Sequence, residues 1–257
     1  MRDLGLQEAI RAAGSVSELA RRIGISQPSI SSWERIPAER VLPIESATGI
    51  SRSILRPDLF TTAIGNDVDE LDIARAQEYT LLAALLGRAP DATFLEKLSK
   101  LRGDPSPLGV AHAALSEAAA NTSVANVERE YFDLFIGLGR GELLPYGSYY
   151  LTGFLHERPL ARLREDLRTL GIERAEGEVE PEDHAAILCE IMAGLASKTL
   201  SAADGSDRTI FEKHLAPWIG RFFTDLERSD AAKFYRPVGS LGRAFIEIET
   251  EAFALSS

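Results

Sequence analysis

The chain has 257 residues, 45% of them hydrophobic and 26% charged; it is long enough for a small module plus a larger domain, and that composition excludes disorder over most of its length. Its net charge of -11 is divided unevenly, since residues 1–60 carry eight Arg or Lys against seven Asp or Glu, and residues 61–257 carry 20 against 32. A segment with a net charge of -12 repels nucleic-acid phosphate and suits a basic peptide, so any DNA contact is expected from the N-terminal end.

The opening MRDLGLQEAIRAAG has acidic residues and no long apolar stretch, so no secretory signal is expected. No run approaches the roughly 18 apolar residues of a spanning helix. The single cysteine, Cys189 in AAILCEIMAGLA, reads as a core thiol before it reads as a nucleophile or ligand. Together these features place the protein in a reducing cytoplasm, without membrane insertion.

In chain order, LQEAIRAAG predicts a helix facing inward through Leu6, Ile10 and Ala13 and stopping at Gly14. SVSELARRIGIS follows, with Ser15 or Ser17 as N-cap and Leu19, Ala20 and Ile23 inward. Ser26 then caps QPSISSWERI, in which Pro28 is tolerated in the first turn, and Ile25, Ile30 and Trp33 are core candidates. Leu42, Ile44 and Ala47 close this small core. TTAIGNDVD reads as a linker, which puts a boundary near residue 62 between a 1–62 module and a 63–257 domain.

The larger segment reads as helix throughout. DELDIARAQEYTLLAALLG presents Leu71, Ala74, Glu78, Leu82 and Leu85 at helical spacing, and DATFLEKLSKLRG presents Phe94, Leu98 and Leu101. Two helical stretches, VAHAALSEAAANTS and VANVEREYFDLFIGLG, lead to an irregular break at GRGELLPYGSYYLTG. HERPLARLREDLRTLG resumes the helix, ERAEGEVEPED is an acidic link, and HAAILCEIMAGLASKTL is the most apolar helix. DRTIFEKHLAPWIGRFFTDLERS and VGSLGRAFIEIETEAFAL finish the chain as amphipathic helices. The expected fold class is therefore all-α, a helix-turn-helix module followed by a helical bundle-like domain.

Three groups of residues carry chemistry. A recognition helix after Ser26 would present Gln27, Ser29, Ser31 and Ser32 to base edges, with Arg21, Arg22 and Arg35 near phosphate; the alternative is a small docking module, because its net charge of +1 is weak for a DNA binder. Tyr131, Leu134 and Phe135, with the loop residues Pro145, Tyr146 and Ser148, suit the wall of a groove or an ordinary core. In EPEDH, Glu180, Pro181, Asp183 and His184 read as the capped start of a helix or as carboxylates holding a guanidinium. Because this helix entry already reads as well capped, Asp183→Ala is expected to weaken peptide binding more than folding. The histidines have no ligand spacing, and GRG and GSLGRAF lack the context of phosphate loops, so no metal, nucleotide cofactor or catalytic centre is expected.

The segment SELARRIGISQPSISSWE, within residues 4–60, resembles the Cro-like helix-turn-helix regulators and especially their YdaS-like branch. The resemblance implies selective binding of duplex DNA by a homodimer. Over residues 70–255 the chain resembles the TorD/DmsD/NarJ chaperones of molybdoenzyme maturation through ARAQEYTLLAALL, EREYFDLFIGLGRGELLPYGSYYLTG, VEPEDHAAILCEIMAGL and FEKHLAPWIGRFFTDLERSDAAKFYRPVGSLGRAFIEIE, in that order. What it implies is a non-catalytic cytoplasmic protein that binds the twin-arginine signal peptide or apoprotein of a molybdenum enzyme, formate dehydrogenase being the preferred client. It carries the family's binding residues onto Glu180, Pro181, Asp183 and His184, onto Tyr131, Leu134 and Phe135, onto Pro145, Tyr146 and Ser148, and onto Tyr79, His214 and Trp218. The fusion itself leaves three readings open: a regulator that reports on its client, a chaperone with an interaction head, or a transcription factor sensing a small ligand.

Overall fold

The computed structural model describes residues 3–50, 52–56, 70–174 and 180–255. The chain divides into two compact units, residues 1–67 and 68–257; the boundary expected near residue 62 and its linker lie outside the described residues. Among the described residues every regular element is helical.

In the first unit, α1 (Leu4–Ala13) is capped by Asp3, whose Oδ1 accepts from Leu6 N at 2.9 Å, and stops at Gly14, where φ is 95° and a side chain would be strained. The next helix, α2 (Val16–Arg22), is capped by the Ser15 hydroxyl. A turn through Gly24 leads to α3 (Gln27–Ser31), a five-residue helix that is shorter than its sequence suggests. Serines compete with helical hydrogen bonding, and here Ser32 Oγ donates back to Ser29 O while Ser26 Oγ pairs with Ser29 Oγ instead of capping the helix. After a 3₁₀ turn (Ala38–Arg40), α4 (Val41–Thr48) and α5 (Arg52–Leu55) complete a core of Leu6, Leu19, Ile30, Ile36, Val41 and Ile44. The helix phase set by the 3₁₀ turn buries Val41 and Ile44, one turn apart, and leaves Leu42, an expected core residue, 53% exposed.

The second unit opens with α6 (Glu70–Gly87), α7 (Ala92–Leu98), α8 (Pro107–Ala120) and α9 (Val124–Tyr131). Leu71, expected on the inner face of α6, is exposed, and that face is Tyr79, Leu82, Leu85 and Leu86. The break expected at 139–153 contains a short helix, α10 (Gly147–Thr152), followed by α11 (Arg158–Thr169). The central helix is α12 (Ala185–Ala196): nine of its twelve residues are buried, which fits an element that is apolar on all sides. The single long helix expected over 207–229 is divided into α13 (Ser206–Ile210), a π-helical turn (Phe211–Leu215) and α14 (Ile219–Arg228), and α15 (Tyr235–Leu255) ends the fold.

Packing follows the apolar faces, with α12 against α6 and α15 against α14 and α8. Cys189 lies at the centre of this core, and burial pushes its thiol up to about 12, so it stays protonated and inert. Two charged fixtures close the unit. Glu130 accepts from Lys233 N, Phe234 N and Tyr235 N at 2.8, 3.1 and 2.7 Å, so a carboxylate from α9 caps the start of α15. Buried Glu249 is held by Arg75 Nε at 2.8 Å and by Tyr79 OH at 2.9 Å, which ties α15 to α6.

A third contact pairs a histidine with a carboxylate. His112 Nε2 lies 2.9 Å from Glu78 Oε1, and this hydrogen bond holds the imidazole above its ordinary 6.5. Because the folded value is raised, the pair's stabilisation is fully present below 6.5 and is lost as pH rises through the folded value. Urea unfolding as a function of pH is expected to show this loss in the parent and not in His112→Gln; an identical slope in both would assign the dependence to other groups.

Candidate functional site

The site is built where two distant segments cross. Tyr146 and His184 form an antiparallel bridge; on either side of it Ala185 N donates to Pro145 O at 2.8 Å and Gly147 N donates to Asp183 O at 2.9 Å. This crossing places the Asp183 side chain under the first turn of α10, where Oδ2 accepts from Ser148 N at 2.7 Å. Asp183 thus caps α10 from 35 residues away. The neighbouring helix α12 is capped separately, by His184 Nδ1 accepting from Ala186 N at 3.1 Å.

Asp183 therefore has a structural role of its own at α10, beside any role toward a ligand. One oxygen is committed to the fold, and Oδ1 is buried with no hydrogen-bond partner, as is the hydroxyl of fully buried Ser148. Pro181, expected inside the first turn of α12, instead shapes the turn before it by accepting from His184 N at 3.0 Å. Glu182 faces Arg164 at 2.8 Å.

On one side of the crossing the Tyr146 ring meets His184 edge-on at 5.0 Å, and Tyr146 OH donates to Glu180 Oε2 at 2.7 Å. Burial, reinforced by that carboxylate, raises the Tyr146 phenol well above its ordinary value, and burial likewise pushes Tyr131 up to about 12, so both remain neutral donors. Tyr131 OH donates to Leu86 O at 3.1 Å.

On the other side lies a cleft of about 370 Å³, with Gly147 and Asp183 at one end, Arg162 and Asp166 from α11, and Lys213 and His214 from the π-helical turn. His214 Nε2 is 2.7 Å from Asp166 Oδ2, and this hydrogen bond, with Lys213 at 3.4 Å, holds the Asp166 carboxyl below the usual range. Trp218, fully buried, donates from Nε1 to His214 O at 2.7 Å. Gly147 approaches the indole closely here: a Cβ would sit 3.0 Å from that same Nε1, and the buried ring would have to give.

The structure thus brings Pro145, Tyr146, Ser148, Glu180, Pro181, Asp183, His184, His214 and Trp218 together, with Tyr131 beside them. Tyr79 is in the α6–α15 fixture and reaches no surface; Leu134 and Phe135 are buried in the core, where the Phe135 ring lies 5.1 Å from Tyr131 and 5.3 Å from Tyr235. The cleft is of mixed sign, because Arg162 and Lys213 line it along with the carboxylates. Asp166, Lys213 and Arg162 had no sequence signal beyond an ordinary charged helix surface.

In the first unit, Gln27, Ser31 and Ser32 are exposed and Ser29 is half-buried. Gln27 Nε2 donates to Ser31 Oγ at 3.1 Å. Arg21 and Arg22 both hold Glu18, at 2.6 and 3.2 Å, and their hydrogen bonds depress its carboxyl to about 2. Arg35 lies 3.4 Å from Asp3. The expected phosphate contacts thus come with carboxylate partners already in place.

Residues 102–224 match the family described as nitrate reductase delta subunit, and residues 6–64 match the family described as bacterial toxin YdaS. Among curated proteins, the chaperone protein TorD of Vibrio cholerae serotype O1 is 29% identical over 190 residues, covering 70% of this chain and 82% of the relative. TorD of Shewanella loihica is 26% identical over 202 residues (70% and 92%), and TorD of Aliivibrio fischeri is 24% identical over 212 residues (74% and 99%).

The cap separates two substitutions. Asp183→Ala orphans Ser148 N–H and is expected to lower unfolding free energy by about 1–3 kcal/mol, whereas Asp183→Asn keeps an acceptor and stays within about 1 kcal/mol of the parent. Urea denaturation followed by helical signal checks both; equal losses would show that charge, not capping, governs the site's stability.

Proposed function

We propose the function from one premise: the chain is a fusion of a Cro/YdaS-like helix-turn-helix module with a TorD/DmsD-like chaperone domain of the kind that serves molybdoenzyme maturation. The larger domain holds a cofactor-free client without making or breaking bonds. It does so by binding the client's twin-arginine signal peptide, one guanidinium of which enters the cleft and meets the Asp183 carboxylate. The observation that carries this reading is a buried, unpartnered acceptor, Asp183 Oδ1, on a residue that lines the cleft, with the likewise unpartnered Ser148 hydroxyl on the residue whose backbone N–H Asp183 caps. A buried carboxylate oxygen with no donor is unfavourable in the empty protein, and an arginine supplies that donor with charge.

His214 lines the cleft, with Trp218 bonded to its carbonyl; Tyr146, Glu180 and His184 hold the other side of the crossing, and Tyr131, Leu134 and Phe135 stand behind the loop. Tyr79 acts only through the fold. Formate dehydrogenase is the client class we place first, ahead of the dimethyl sulfoxide, trimethylamine oxide and nitrate reductases. The reading puts the protein in the cytoplasm; among the described residues no helix is long and apolar enough to cross a membrane. The helix-turn-helix module adds duplex DNA as a second partner, in the form of a homodimer, through Arg21, Arg22, Arg35 and the exposed face of α3 (Gln27, Ser31, Ser32, with Ser29 behind them).

Calorimetry with synthetic leaders of the four client classes tests the first claim. The formate dehydrogenase leader is expected to bind most tightly, and Asp183→Asn to weaken it by about tenfold or more while the fold is retained, as loss of a charge-assisted hydrogen bond dictates. Parent-like affinity in Asp183→Asn would remove Asp183 from the site. Mobility shift with and without leader then separates the readings of the fusion: a shift that changes with leader marks a client-reporting regulator, no shift an interaction head, and a shift indifferent to leader a regulator answering to another ligand.

A further inference from the structure

Glu18 has two sets of partners within reach, and only one is in use. It stands three residues after Ser15, whose hydroxyl accepts from Glu18 N at 3.1 Å as the N-cap of α2. In that spacing a glutamate side chain ordinarily turns back to accept from the N–H of the capping serine, so that the two residues satisfy each other. Here it turns the other way. Its oxygens take Arg21 Nε at 3.0 Å, Arg21 Nη2 at 2.6 Å and Arg22 Nε at 3.2 Å, and Ser15 N–H has no partner among the described residues.

The two arginines are held unequally. Arg21 is 75% exposed and bonded only to Glu18, while Arg22 is 38% exposed and also donates to Ala47 O at 3.4 Å. One carboxylate therefore cancels half the charge of the pair that faces solvent beside α3, in a unit whose net charge is already near zero. Exposed ion pairs of this kind are weak, so a phosphate can displace the carboxylate.

We infer that Glu18 is a two-position carboxylate that sets the duplex affinity of the helix-turn-helix unit: it clamps Arg21 and Arg22 in the free protein, and on a DNA backbone it releases Arg21 to phosphate and turns back to Ser15 N–H. The second position offsets the lost ion pair by satisfying a helix-terminal donor. This inference rests on the DNA-binding reading above and adds a restraint to it.

The test uses the full chain and a fluorescein-labelled, mixed-sequence duplex of about 30 base pairs, followed by anisotropy from about 50 mM salt upward. Glu18→Gln keeps an oxygen for Ser15 N–H and loses the charge that holds the arginines. It is expected to bind at least about fivefold more tightly than the parent at the lowest salt, with a log–log salt slope steeper by about one. Exchange of the Ser15 amide is expected to slow on DNA in the parent and in Glu18→Gln, and not in Glu18→Ala. Parent binding that Glu18→Gln leaves unchanged in affinity and slope overturns this inference and leaves DNA binding standing. Absence of binding by either protein at the lowest salt removes the DNA reading and this inference with it.

Discussion

The short antiparallel crossing of residues 145–147 with residues 183–185 is the contact on which the rest of the site depends. Three backbone-directed hydrogen bonds, from Ala185 N, Gly147 N and Ser148 N, fasten a loop to the start of the central helix, and the last of them ends on the Asp183 carboxylate. Without it α10 has no side-chain cap, because Tyr146 at its N-cap supplies none. Nor would the Tyr146 ring find His184, or Gly147 find the edge of Trp218. Close approach at Gly147 and the fully buried indole make this junction intolerant of slippage.

Two π-helical turns frame the crossing. Phe132–Ile136 closes through Gly137 N to Phe132 O at 2.7 Å, and Phe211–Leu215 through Ala216 N to Phe211 O at 2.8 Å. Such turns re-aim side chains relative to a regular helix and recur at functional sites. The second one presents Lys213 and His214 to the cleft, where Asp166 binds both. Among the cleft's polar groups Asp166, Lys213 and His214 bond to one another, whereas Asp183 Oδ1 is buried without a partner.

The first unit shows the same economy of charge in a different setting. Its basic side chains on α2 share one acid, and Arg35 lies beside another, so a net charge read from composition understates how much of the positive surface is occupied. In the cleft the opposite holds. A domain with a large negative net charge presents Arg162 and Lys213 at its candidate site, and local pairing decides what a ligand meets.

Helical periodicity, caps and glycine stops were sufficient to read an all-helical chain, Leu6 and Ala13 of α1 and Leu19 and Ala20 of α2 as inward, α12 as the most apolar helix, and the Gly14 terminus, because these are local properties of a few neighbouring residues. The motifs also named most of the residues that meet at the crossing. What sequence left open was which role each one has. Asp183 caps a helix 35 positions away, Tyr79 serves a fixture with Glu249 170 positions away, and Asp166 finds His214 across 48 positions. Leu42 points outward because a 3₁₀ turn sets the phase of α4, and α3 is short because its serines bond to one another. Partners so distant along the chain leave no periodic trace in it; they are chosen by how the helices pack.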